Sequence, residues 1–385
     1  MLALIRRGLA ALLLTMILAA CQVIPDTGQT PTTAPPPPQL EGPSDDVLPT
    51  DDDRHRIAIL VPLSGANEAV GRSIANAATM ALLDTNAQNL RITSYDTAPG
   101  AGTAAARAIS DGNRLILGPL LRDDVTAVLG QARSANVPLI TFSNDSSIAA
   151  PDVFVMGHVP EQSVARTVGY AIRQGSRRFA ALVPGGDYGE RTAAALTRAV
   201  QSAGGSVVAT ERYDRGNTSI ISAAERLRAA GGFDAVLIAE GARLSALAAS
   251  ALGERGARPN LLGTELWSGE AGIASASALN GAWYAAVTDE RYRQFVDSYR
   301  TRFGEQPHRI ATLGYDSVLL TLRVARDWTP GRPFPLATLR DPEGFLGLDG
   351  PFRFSADGVG ERAMEVRQVG NGTVTVVDPA PARFQ

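Results

Sequence analysis

From position 56 onward, short, continuously apolar runs alternate with stretches whose apolar residues recur three and four positions apart, and that alternation leaves few folds open. The run Ile-Ala-Ile-Leu-Val at 57–61 reads as a buried strand ended by Pro62. Ile74, Ala77, Ala78, Ala81 and Leu82 then mark a helix. The cycle repeats, predicting strands at 91–95, 115–117 and 138–142 and helices at 103–109 and 123–135. A second series follows, in which helices marked by Val164 and Ile172, Leu196 and Val200, Ile220 and Leu227, and Leu244 and Ala251 are interleaved with strands at 179–183, 207–210, 235–239 and 260–262. After a strand at 283–287 come two more helices, and the tail from Pro351 turns to short strands with a Gly-Asn-Gly hairpin signal at 370–372. Such alternation predicts parallel sheets covered by helices on both faces. Two series predict two α/β lobes, with a ligand cleft between them.

One stretch, Arg-Leu-Ile-Leu-Gly-Pro-Leu-Leu-Arg-Asp-Asp-Val at 114–125, feeds a strand into a helix through a tight loop at Gly118 and Pro119. In open α/β sheets, loops at the carboxyl ends of strands hold ligands. The available chemistry is narrow. All 36 basic residues are Arg, which removes Schiff-base lysines and the lysine of phosphate-binding loops. Three scattered histidines, His55, His158 and His308, and the single Cys21 cannot make an ordinary His/Cys zinc site. No nucleophile-elbow Gly-x-Ser-x-Gly occurs. The expectation is a non-enzymatic protein with no metal, cofactor or catalytic residue, and a net charge of -3 gives no reason to expect nucleic acid as a partner.

The amino terminus reads as a targeting segment. Arg6 and Arg7 precede an apolar core at 9–18 that is too short to span a bilayer as a stable helix. Leu18-Ala19-Ala20-Cys21 resembles the lipobox of bacterial lipoproteins. That resemblance implies cleavage of a signal peptide at 1–20, lipidation of Cys21 and anchoring to a membrane by the lipid. Gln22 after the cysteine, by the same analogy, favours the outer membrane. Residues 21–54 read as a disordered tether: Pro35, Pro36, Pro37 and Pro38 stiffen it, and Asp45, Asp46, Asp51, Asp52 and Asp53 add like charge. Extended at roughly 3 Å per residue, such a tether reaches on the order of 100 Å.

The residues from 56 to the end resemble type I periplasmic solute-binding proteins of the leucine/isoleucine/valine-binding kind. The resemblance is carried by Ile-Ala-Ile-Leu-Val-Pro-Leu-Ser-Gly at 57–65, Gly71, the strand and loop at 138–143, and Asp187-Tyr188-Gly189. It implies two doubly wound Rossmann-like lobes linked by crossovers, the first formed by 55–158 and 286–335 and the second by 159–285 and 336–385. For an amino-acid ligand it points to Ser143, Asn144 and Asp145 as carboxylate donors or a helix cap, Tyr188 as an aromatic contact and Glu265 as the ammonium partner. Trp267 either closes the pocket or packs within its lobe. Ser64 lines the same cleft edge. Arg122 either clamps a carboxylate or pairs with a neighbouring Asp.

Within that superfamily, Leu-Gly-Pro-Leu-Leu-Arg-Asp-Asp-Val at 117–125 is similar to the substrate-binding half of penicillin-binding protein activators. These are outer-membrane lipoproteins that stimulate peptidoglycan synthases, and they carry a helical-repeat domain ahead of this fold where the present sequence has its Pro-rich stretch. Leu120 and Leu121 replace the small hydroxyl residues of amino-acid receptors. The expected partner is therefore a peptidoglycan synthase, with the permease of an amino-acid ABC importer as the alternative, and a small polar solute as the cleft ligand. The Gly-x-Gly-x-x-Ala pattern at 100–105 reads as an ordinary turn, and Asp123 and Asp124 as a solvated helix start.

Overall fold

The computed structural model describes residues 53–253, 259–270, 272–381 and 384. The proposed signal peptide, Cys21 and the tether up to position 52 lie outside the described residues. The first lobe holds β1 (His55–Val61), α1 (Glu68–Asp84), β2 (Leu90–Asp96), α2 (Ala101–Ser110), β3 (Leu115–Leu117), α3 (Arg122–Ala132), β4 (Leu139–Thr141) and β5 (Val153–Val155). Its strands run parallel in the order β2-β1-β3-β4-β5. Where both faces are covered, as at 57–61, 115–117 and 153–155, the strands are continuously apolar, whereas edge strand β2 carries Arg91, Thr93 and Ser94. Ile57, Ile59 and Val61 enter one buried cluster with Ile74 and Ala78 of α1, whereas Ala58 and Leu60 enter another with Ala105 of α2 and Val128 of α3.

The second lobe repeats this plan. It contains α4 (Pro160–Arg173), β6 (Arg178–Pro184), α5 (Asp187–Ser202), β7 (Ser206–Tyr213), α6 (Ser219–Ala230), β8 (Ala235–Ile238), α7 (Ala242–Leu252), β9 (Asn260–Gly263) and β10 (Trp283–Ala286). Phe179, Ala181 and Val183 again face one cluster, and Ala180 and Leu182 the other.

The chain then returns to the first lobe. Two helices, α8 (Tyr292–Phe303) and α9 (Thr312–Val324), pack on α1, and α9 comes so close that a Cβ on Gly314 would lie 2.2 Å from the Ile74 carbonyl oxygen. A small antiparallel sheet follows, of β11 (Phe345–Gly347), β12 (Gly350–Phe354) and β13 (Gly360–Arg362). Phe345, Phe352 and Phe354 lie in the same cluster as Ile57, and Val155 of β5 bridges to Val359. The stretch 336–362, assigned to the second lobe from sequence, therefore packs with the first, because its phenylalanines complete that core. Only β14 (Glu365–Val369) and β15 (Val374–Asp378), the hairpin predicted around Gly370–Gly372, extend the second sheet, whose order is β15-β14-β10-β9-β8-β6-β7.

Three segments cross between lobes, at 156–159, 287–291 and 363–364. They are stitched together: Arg362 Nη2 donates to the Met156 carbonyl (2.9 Å), and Arg367 Nη2 donates to the Val287 carbonyl (2.7 Å). Beside them Asp349, with no exposed surface, accepts from His158 Nε2 (2.9 Å), Arg309 Nη1 (2.8 Å) and Thr312 Oγ1 (2.9 Å). Burial opposes its ionisation, but the Arg309 charge and the His158 bond hold its carboxyl far below the ordinary range. Burial and the Asp349 charge push neighbouring Asp316 the other way, to about 7.

Two expectations follow. Gly314→Val should cost about 3 kcal/mol in urea unfolding because it overpacks a backbone contact, whereas Gly130→Ala, with open space around it in α3, should stabilise by roughly 0.5 kcal/mol or more. Folded Asp316 keeps a proton that the unfolded chain, with the ordinary value of 3.8, has released, so its contribution to stability falls as pH rises from about 4 to about 7. The melting temperature of Asp316→Asn relative to the parent should accordingly rise between about pH 5 and about pH 8.

Candidate functional site

The carboxyl ends of β3 and β4 in one lobe and of β9 in the other, together with all three crossings, enclose a cleft of about 450 Å³. Its wall is mainly apolar. Val70, Leu120, Leu121, Phe142, Ile310 and Leu313 come from the first lobe, Leu266 from the second, and Val287 and Met364 from the crossings. The polar residues on the wall are Asn144, His158, Glu265, Ser268, His308 and Arg309. The loop after β3 can turn into the cleft because Gly118 has φ +108 and sits so near β1 that a Cβ would lie 2.2 Å from the Leu60 carbonyl oxygen. Leu120 and Leu121 follow it onto the wall.

Two of the sequence-predicted residues, Asn144 and Glu265, line this cleft, and Tyr188 reaches it through Glu265. Glu265 already accepts two hydrogen bonds from its own lobe, from Ser163 Oγ at 2.5 Å and from the Tyr188 hydroxyl at 3.0 Å. Burial raises its pKa above the ordinary glutamate value, an effect those bonds only partly offset. Burial and the nearby Glu265 also raise the Tyr188 phenol, over whose ring Arg215 stacks at 5.0 Å. A buried carboxyl whose two oxygens already accept protein hydrogen bonds is a poor partner for an ammonium group.

The other predicted residues are placed elsewhere. Trp267 is fully buried in the second-lobe core against Tyr284 and donates Nε1 to the Glu240 carbonyl at 2.8 Å, so it packs within its lobe and does not close the pocket. Ser64 is bonded to Asp96 at 2.6 Å and is not part of the cleft wall. Ser143 is buried and caps the turn by accepting from the Asp145 amide at 3.2 Å. Asp145 in turn accepts from the Ser147 amide and hydroxyl.

Arg122 and Asp145 belong to a bridge between lobes. Arg122 pairs through Nε with Asp145 (2.9 Å) and through Nη1 with Asp187 at the start of α5 in the other lobe. Arg191, one turn further along α5, forms a fork to Glu161, with both bonds at 2.8 Å, and donates to the Asn144 carbonyl at 2.5 Å. Although burial opposes it, the bonds from Ser147 and the charges of Arg191 and Arg122 hold the Asp145 carboxyl below its ordinary value. Arg191, Glu161, Ser163, Arg309 and Asp349 escaped the sequence reading. No local pattern singles them out, because Glu161, Ser163 and Arg191 sit among other polar residues of α4 and α5, and Arg309 and Asp349 in short turns.

A family model described as "Periplasmic binding protein" matches residues 55–373. The chain belongs to the periplasmic binding protein family. It is a family of binding proteins rather than of enzymes, and its name places its members in the periplasm. An uncharacterised protein of Rickettsia prowazekii is 28% identical over 160 residues, which are 41% of this chain and 43% of that protein. The penicillin-binding protein activator LpoA of Dickeya chrysanthemi is 30% identical over 134 residues, 34% of this chain and 19% of that protein. These matches thus span less than half the length of either relative. A putative branched-chain amino acid ABC transporter protein from Rhodospirillum rubrum has a TM-score of 0.73 at 22% identity, covering 84% of this chain and 100% of that chain. Full-length LpoA from Haemophilus influenzae has a TM-score of 0.65 at 17% identity, covering 84% of this chain and 59% of that one. At these identities the structures establish the two-lobed fold alone. Among the described residues no helix is long and apolar enough to cross a membrane, and no group of His, Cys, Asp and Glu could hold a metal ion.

The bridge yields a graded expectation. Replacing Arg191, whose side chain is 17% exposed, with Met removes the fork from half-buried Glu161 and should cost about 2 kcal/mol in chemical denaturation. Arg122→Met, at a side chain 47% exposed, should cost under about 1 kcal/mol and less still in high salt.

Proposed function

We propose that this chain is a lipid-anchored recognition protein of the periplasm, held to the outer membrane through Cys21, that regulates peptidoglycan synthesis in the manner of a penicillin-binding protein activator. The observation that carries the reading is the apolar wall made by Leu120 and Leu121 where an amino-acid receptor needs carboxylate donors. Glu265 supports it from the other lobe, because the pole that would hold an ammonium is occupied by Ser163 and Tyr188. The partial similarity to LpoA of Dickeya chrysanthemi supports the same assignment. The Arg122 and Arg191 bridges suit a body that presents a fixed surface to a protein partner, since both must break if the lobes are to part.

A second reading, a substrate-binding lipoprotein of an ABC importer for amino acids or similar small polar solutes, is favoured by one feature. The cleft is of a size that encloses a small molecule, and Glu265 stands on its wall. The two readings part on one experiment. Added to a purified bifunctional peptidoglycan synthase from the same cell, the full chain should raise the rate of glycan polymerisation severalfold, and calorimetry against free amino acids should show no micromolar binder. No stimulation, combined with micromolar binding of one amino acid that is lost in Glu265→Ala, would replace the activator with the transport receptor.

A further inference from the structure

The second sheet ends at β15, whose partner strand among the described residues is β14 alone. Its run at 373–377, Thr-Val-Thr-Val-Val, carries no charge and no proline, and Val376 is 50% exposed. Sheet edges are ordinarily blunted by charge, proline or a covering segment, because the unpaired amides and carbonyls of an edge strand invite another chain. The strand is nevertheless fixed at both ends. Asp378 pairs with Arg166 at 2.7 Å and with Arg173, the ladder to β14 skips Val377 just before it, and the Gly372 amide donates to the Ala274 carbonyl at 3.0 Å. Between these ties, 373–376 present a regular edge.

That edge borders a groove of about 640 Å³, which shares no wall residue with the cleft between the lobes. Tyr284, Arg367 and Val376 stand side by side on β10, β14 and β15 along it, and Val374 lines it as well. It runs on to Glu290 in the second crossing and to Tyr292 and Arg293 of α8, so it reaches from the second sheet to the first lobe. Four carboxylates, Glu270, Asp289, Glu290 and Glu365, face two guanidiniums, Arg293 and Arg367. Arg367 is already shared between Glu365 and Asp289. The groove thus keeps an acidic excess, with Glu270 and Glu290 exposed.

We propose that β15 and this groove are a docking surface for an extended segment of a protein partner in which every second residue is Arg or Lys. The segment adds a strand to the edge at 373–376. Its basic side chains lay their aliphatic stems on Val374 and Val376 and turn their charged heads towards Glu270 and Glu290. The acidic excess selects this occupant over a second copy of the chain, because a second β15 brings only Thr and Val to the groove. The assignment rests on reading the chain as a recognition protein with a protein partner, and it names the chemistry of the segment recognised.

Two fluorescein-labelled heptapeptides, one alternating Thr with Arg and the other Thr with Glu, test this by anisotropy on the full chain. The Arg peptide should bind about tenfold or more tighter than the Glu peptide, and more weakly as salt is raised. Val376→Lys places a charge on the edge at a half-exposed position and should weaken the Arg peptide about tenfold. Glu290→Lys, at an exposed side chain, should weaken it severalfold, which keeps the test meaningful should Val376→Lys disturb the hairpin. N-methylation of one or the other alternate set of amides leaves the peptide's charge intact, and one of the two sets should abolish binding by blocking the amides that face β15. No binding of either peptide, equal binding of both, binding that survives methylation of each set, or binding unchanged in Val376→Lys and Glu290→Lys would overturn the proposal. So would a dimer in sedimentation that Val376→Lys dissolves, because the edge would then belong to a second copy. The titration contains no synthase: its failure beside intact stimulation removes this surface and leaves the activator reading, whereas failed stimulation beside intact peptide binding removes the synthase and leaves the surface.

Discussion

Asp349 is fully buried, remains ionised, and holds the joint between the lobes together. It stays charged because Arg309, His158 and Thr312 all donate to it, with Arg362 3.8 Å away. These partners come from different parts of the chain: His158 from the first crossing, Arg309 and Thr312 from the approach to α9, and Arg362 from the end of β13 before the third crossing. A single carboxylate thus sets where the chain leaves the first lobe and where it returns. Replacing it with an apolar residue would leave two buried guanidiniums, Arg309 and Arg362, without this counter-charge, which is the costly way to break such a network. Asp316 close by accepts the Leu348 amide at 2.6 Å and orients the turn that delivers Asp349.

The cleft inherits its character from that joint. With His158 and Arg309 drawn back towards Asp349, the wall they share is left to leucine, isoleucine, valine and methionine side chains. Across the cleft, Ser163 and Tyr188 do the same to Glu265, and at its mouth Arg122 and Arg191 do so to Asp145. All three acidic groups, of which Glu265 lines the cleft, are satisfied by the protein itself. What the wall mainly offers for recognition is shape and apolar contact.

The fold was legible because its signals are local and repeated. The strand at 57–61 sorts Ile57, Ile59 and Val61 to one side and Ala58 and Leu60 to the other, as a strand covered on both faces must. β5 was missed although its apolar run, Val153, Phe154 and Val155, is as long as that of β3. The return of 336–362 to the first lobe was misread because no local pattern states which core Phe345 and Phe352 will enter. The site was less legible for the same reason. Trp267 and Glu265 sit two positions apart in one loop, yet one is buried in the core and the other faces the cleft. The contacts that decide this, with Ser245 and Glu240 for Trp267 and with Ser163 for Glu265, lie between 22 and 102 positions away. The alternatives left open for Arg122 resolved towards ion pairing, but with an aspartate on each lobe, which converts a surface pair into a tie between two bodies.

A transport receptor must hold its solute and then release it to a permease, so its polar groups have to favour ligand over protein partners in one state and not in the other. Here those groups already have protein partners of good geometry, and a ligand amine would have to displace the Tyr188 and Ser163 bonds to reach Glu265. Displacing buried hydrogen bonds costs more than an exposed contact returns. An amino acid is therefore disfavoured at the pole where the resemblance to leucine-binding proteins is strongest.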